Sequence, residues 1–149
     1  MRAVVQRVTR AEVRVGERTT GSIGAGLLVL LGVAVDDTDG DARAIADKLA
    51  GLRIFADGDG LMNRSVLETQ GAVLLVSQFT LHGDARRGRR PSFIAAAKED
   101  LARPLYEAVG AHLQACGLRV EYGEFGATMA VESVNDGPVT ILLDTKRAF

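Results

Sequence analysis

A single cysteine, Cys116, stands in helix-like sequence, so no internal disulfide holds this chain together. Only two histidines, His82 and His112, are present, too few for a histidine-based zinc cluster with Cys116, and no metal site is expected. Aromatic residues make up 5% of the chain and tryptophan is absent, which argues against an RNA reader built on stacking platforms. No stretch approaches the ~20 consecutive apolar residues that cross a membrane, and Met1 to Arg7 alternates polar and apolar residues instead of forming a signal-peptide core. A cytoplasmic protein without a membrane partner is expected. The net charge of −1 gives no overall attraction to DNA or RNA.

What is present is an ordinary globular composition, 47% hydrophobic and 25% charged, over 149 residues. That length suits one domain, 1–149, able to bury a core without staples. Period-two alternation at Val4, Gln6 and Val8, then at Ala11, Val13 and Val15, predicts two strands, with a turn at Gly16-Glu17. The apolar runs Leu27–Leu31 and Ala72–Val76 read as strands covered on both faces. Between them, Asp37, Thr38 and Asp39 are candidate caps for a helix burying Ala42, Ile45, Leu49 and Leu52. A second helix is expected from Lys98 to Cys116, with Leu101, Leu105, Val109 and Leu113 on one stripe. Pro104 should bend or restart it, and Gly117 should stop it. The last third reads as three strands, 118–125, 128–134 and 139–144. Two helices among about seven strands suit a mixed α/β, layered β/β/α sandwich with helices packed on one side.

Several familiar sites are excluded or demoted. The glycines of Gly21 to Gly26 precede a strand instead of joining a strand to a helix, and no Gly-Lys-Ser/Thr follows, so a nucleotide loop does not fit. Asp36, Asp37, Asp39 and Asp41 lack calcium-loop spacing and read as helix caps. No Ser-His-Asp set is apparent from linear spacing. His82 reads as a polar loop residue or a general base.

Two segments and one loop remain. Ser77-Gln78-Phe79-Thr80-Leu81 ends a buried apolar run; on a strand, Ser77 and Phe79 point one way and Gln78 and Thr80 the other. Backbone N–H groups freed at that strand end can hold a developing oxyanion, or the segment is a strand end with a capping hydroxyl. Asn135-Asp136-Gly137-Pro138-Val139-Thr140 is either a strand-connecting turn or a stiff loop presenting bare carbonyls. Arg86, Arg87, Arg89 and Arg90 form a local basic loop, either a solvated surface run or a contact for one phosphate-bearing partner, which suits transient binding better than coating DNA.

Together with Met1 to Val8, Leu61-Met62-Asn63, Gly88 to Phe93 and Phe125 to Met129, these two segments resemble the signature motifs of the D-aminoacyl-tRNA deacylases, in order over the whole chain. The resemblance implies hydrolysis of the ester between a D-amino acid and the 3′ end of tRNA, with glycine also removed from mischarged tRNA-Ala. It implies a homodimer with no cofactor. Ser77, Gln78, Phe79 and Thr80 would surround the ester. Gly137-Pro138 would be a cis peptide reaching into the partner's pocket, where it refuses L-residues. Asn135, Arg7 and Met129 would support that selection, Arg7 by holding the Gly-Pro loop; otherwise Arg7 is an edge-strand arginine in solvent. Departures occur at Arg87, where the family commonly has lysine, and at His82, where it often has an aromatic residue. The second departure puts a stacking role on the tRNA end in question. A non-catalytic RNA-binding module and a general esterase are the competing classes.

Overall fold

The computed structural model describes all 149 residues. In chain order it contains β1 (Arg2–Val15), β2 (Arg18–Ile23), β3 (Gly26–Gly32), α1 (Asp39–Gly51), β4 (Phe55–Ala56), β5 (Met62–Arg64), β6 (Ala72–Ser77), a 3₁₀ turn (Phe79–His82), α2 (Glu99–Ala115), β7 (Arg119–Tyr122) and β8 (Ala130–Asp144). Eight strands and two helices give the expected mixed α/β class.

The long strand β1 organises the sheet. It pairs antiparallel with β3 and β2 along one edge and with β8 along the other. β6 joins β3 in parallel, and β7 joins β6 in parallel. The sheet curls until β2 approaches β7. A side chain at Gly21 would meet the Tyr122 carbonyl at 2.5 Å, so closure there requires glycine. Gly26, at φ +156°, abuts Ala72 so closely that an added Cβ would fall 1.9 Å from its carbonyl oxygen.

Curling produces two cores. Val8, Ala11, Val13, Ile23, Leu28, Leu74 and Val76 fill the space between the sheet's inner surfaces. Ala3, Val5, Leu27, Val29 and Leu75 face outward and are covered by the buried stripes of α1 and α2. The alternation of β1 holds from Ala3 to Val8, with Val4, Gln6 and Val8 sharing the inner face as expected, and breaks after Val8. Ala3 and Val5 are buried against the helices, whereas Val8, Ala11 and Val13 are buried on the inner side. The irregularity between Val8 and Arg10, where two β1 positions oppose one of β8, brings Ala11 and Val13 to the inner face beside Val8; the shift between Gln6 and Val8 lies in β8.

α1 begins at a capping arrangement in which the Asp41 carboxylate accepts from the Thr38 N–H at 2.9 Å. In α2, Leu101 is exposed and Ala102 takes its place on the buried stripe. The helix continues through Pro104, because the carbonyl left without its donor belongs to Asp100 on an exposed first turn. The last third departs from expectation: only two strands form, and β8 spans Ala130 to Asp144. Residues 136–139 are an excursion from that strand, since Asn135 pairs with Val8 and Thr140 with Gln6. No helix is long and apolar enough to cross a membrane.

Candidate active site

β6 ends at Ser77 because Gln78, at φ −145° and ψ 78°, leaves the extended region while its N–H donates to Leu31 C=O at 2.7 Å. The chain then coils into the 3₁₀ turn. The expected strand alternation of Ser77/Phe79 against Gln78/Thr80 is therefore absent, and all four residues border one cleft of about 430 Å³. Met129 and Phe125 form the facing wall, and Glu99 stands at the start of α2. Met129 fits because Gly123 has no side chain: a Cβ there would meet its sulfur at 2.8 Å.

Within the turn, the first hydrogen bond runs from Leu81 N–H to Gln78 C=O at 3.2 Å. The N–H groups of Phe79 and Thr80 precede it and so have no partner inside the turn. The Gln78 amide donates to the Thr80 hydroxyl. The Phe79 ring is 56% exposed and meets Phe93 edge-on at 5.1 Å. No histidine borders the cleft, and Glu99 is its one carboxylate, already paired with Arg103 at 2.5 Å. From sequence Glu99 is indistinguishable from any acid in a helix's first turn, which is why it did not figure among the candidates.

His82 corrects the polar-surface reading: it is 6% exposed, and its Nε2 has no partner in the protein. Burial holds the imidazole below the usual histidine range, against a backbone interaction at Gly32 that acts the other way. Arg2 secures the turn by donating to Leu81 C=O at 3.1 Å.

The 136–139 excursion lies outside this cleft. Gly137-Pro138 is cis, and Gly137 has φ +131°. Asn135 closes the base of the excursion: its Oδ1 accepts from Val139 N–H at 3.0 Å and its Nδ2 donates to Thr140 Oγ1 at 3.1 Å. Arg7 is largely buried, not free in solvent. It donates to Asp136 C=O at 3.1 Å and to Ile54 C=O at 2.7 Å, joining the excursion to the chain segment after α1.

The basic loop is closed by reciprocal backbone bonds between Asp84 and Ser92, at 2.8 and 2.9 Å. Arg86 is held in a two-point pair by Asp84, whereas Arg87, Arg89 and Arg90 have no carboxylate partner.

A family model described as D-Tyr-tRNA(Tyr) deacylase matches residues 4–144. The chain belongs to this family. It is 65% identical to the D-aminoacyl-tRNA deacylase of Anaeromyxobacter dehalogenans over 149 residues, covering all of both chains. It is 57% identical to that of Thermus aquaticus over 145 residues, covering 97% of this chain and 95% of the other. Among solved structures, the c-Myc DNA unwinding element binding protein superposes with a TM-score of 0.91 at 40% identity, covering 97% of this chain and 99% of that one. A probable eukaryotic D-amino acid tRNA deacylase superposes with a TM-score of 0.82 at 20% identity over 95% of this chain and 97% of that one, a likeness of fold.

Proposed function

We propose that the cleft hydrolyses the ester joining a D-amino acid to the 3′ end of tRNA in the cytoplasm, releasing free amino acid and tRNA. The observation that carries this reading is the pair of unpartnered N–H groups at Phe79 and Thr80, bordering the cleft in a chain of the deacylase family. Two such donors suit the oxyanion that forms when water adds to the ester carbonyl. The C–O bond to the ribose then breaks, the acyl carbon keeps the water oxygen, and a proton passes to the departing 3′ oxygen. Because the cleft has no imidazole and its carboxylate is paired, the ribose 2′-hydroxyl of the terminal adenosine assists the water. The Thr80 hydroxyl accepts from Gln78 and has no base beside it, which favours a main-chain role over nucleophilic attack.

Stereochemical selection falls to the Gly137-Pro138 excursion. Its carbonyls would occupy the volume an L-side chain needs, leaving D-side chains and glycine, including glycine mischarged on tRNA-Ala, free to bind. Since the excursion does not border its own cleft, this role requires a second copy. The outer edge of β8 is unpaired, and Val131, Val134 and Leu142 are 40%, 41% and 56% exposed, a surface suited to a homodimer.

The test is ester loss from D-tyrosyl-tRNA and L-tyrosyl-tRNA. Release from the D-form alone is expected; release from both would indicate a general esterase, and from neither a non-catalytic RNA-binding module. Thr80→Ala is expected to keep the rate within about tenfold, because the N–H is retained. Near-complete inactivation would assign the hydroxyl as nucleophile.

A further inference from the structure

The turn that carries Phe79 and Thr80 also contributes His82 to a second concavity, a groove of about 760 Å³ under the basic loop. Two kinds of surface meet there. Val35 and Ile94 are its large apolar members, 56% and 88% exposed, and the Val35 N–H bond to Ala95 C=O at 3.1 Å ties their two segments together. Arg87 and Arg90 border the same groove with uncompensated charge, while Arg86 is committed to Asp84 and Arg89 lies outside it. His82, 6% exposed, adds a buried Nε2 without a protein partner.

Large exposed aliphatic side chains next to unpaired cations call for a ligand with a flat apolar face and an adjacent anion. A nucleotide has both. We infer that this groove takes the nucleotide immediately 5′ of the aminoacylated adenosine, its base over Val35 and Ile94 and its phosphate against Arg87 and Arg90. This rests on the reading of the neighbouring cleft as the ester site. The two concavities share one turn, Thr80 bordering the cleft and His82, two residues on, bordering the groove.

The experiment compares deacylation of D-tyrosyl-adenosine, a D-tyrosyl cytidylyl-adenosine dinucleotide and D-tyrosyl-tRNA. The dinucleotide should have a lower KM than the nucleoside ester in the wild-type protein. Arg87→Gln with Arg90→Gln should raise KM for the dinucleotide and tRNA about 20-fold, roughly fivefold per exposed ion pair, with kcat retained. The nucleoside ester should be unaffected, and the salt dependence of log KM for tRNA should flatten by about 0.7, the single-strand slope for one phosphate. Arg89→Gln should change KM less than about twofold. An equal effect from Arg89→Gln, a dinucleotide no better than the nucleoside ester, or a loss of kcat on the nucleoside ester in the double variant would overturn the groove. Anisotropy of a fluorescent CCA trinucleotide reads the groove without chemistry. Binding that the double variant abolishes sustains it even if no ester is cleaved, an outcome that refutes the reading of the cleft alone.

Discussion

Replacing Arg7 by alanine tests whether the excursion at Gly137-Pro138 is fixed from below. The guanidinium donates to Ile54 C=O at 2.7 Å and to Asp136 C=O at 3.1 Å, and Nε lies 3.4 Å from the Asp136 carboxylate. Ile54 is 5% exposed, so its carbonyl loses a charged donor where water enters poorly. That loss is worth about 2 kcal/mol. The Asp136 carbonyl lies near solvent, so its share is about 1 kcal/mol; the carboxylate, 51% exposed, adds at most a few tenths. Arg7→Ala should therefore lower unfolding free energy by about 3 kcal/mol in urea titrations. If about half of this is lost from the ordered excursion, discrimination between D- and L-tyrosyl-tRNA should fall about tenfold. Arg7→Lys can reach one carbonyl at most and should fall between the two. A variant within 0.5 kcal/mol of wild type (about the ordinary range for surface substitutions) with its D/L ratio intact would refute the pinning argument.

Two further outcomes can be checked. Gly137→Ala places a side chain at φ +131°, with its Cβ 2.8 Å from Val139 Cγ2 and 3.1 Å from an Arg7 nitrogen. It should cost about 1–3 kcal/mol and reduce D-tyrosyl-tRNA hydrolysis, whereas Gly24→Ala, with open space around it, should leave both unchanged. His82 is buried, with Arg2, the N-terminal amine and Asp37 nearby, and its folded state favours the neutral imidazole. Its contribution to stability is complete above the unfolded value near 6.5 and is lost as pH falls through that value toward the lower folded one. Unfolding free energy should thus drop as pH falls below about 6.5, and His82→Gln should flatten that slope. An unchanged slope would mean another group titrates there.

The second helix was legible because a local period carries its own address: Leu105, Val109 and Leu113 recur at helical spacing and are buried. The capping of α1 was equally local, since Thr38 and Asp41 are three residues apart and bond to each other. The clustering of Ser77 to Thr80 was legible as a segment but not as a shape. Strand alternation was expected to divide those residues between two faces, and the turn at Gln78 brings all four to one cleft.

Local sequence by itself therefore determined the mixed α/β class, the positions of both helices and the buried strands Leu27–Leu31 and Ala72–Val76. Tertiary structure decided the rest, because burial and pairing depend on neighbours far along the chain. Ala11 and Val13 share the inner face with Val8, and residues 136–139 leave the pairing with β1 without ending β8, only through the registers of β1 against β8. His82 reads as a surface residue until the turn that carries it packs beside Gly32. Arg7 looks like an edge residue until Ile54 and Asp136, 47 and 129 positions away, present their carbonyls to it.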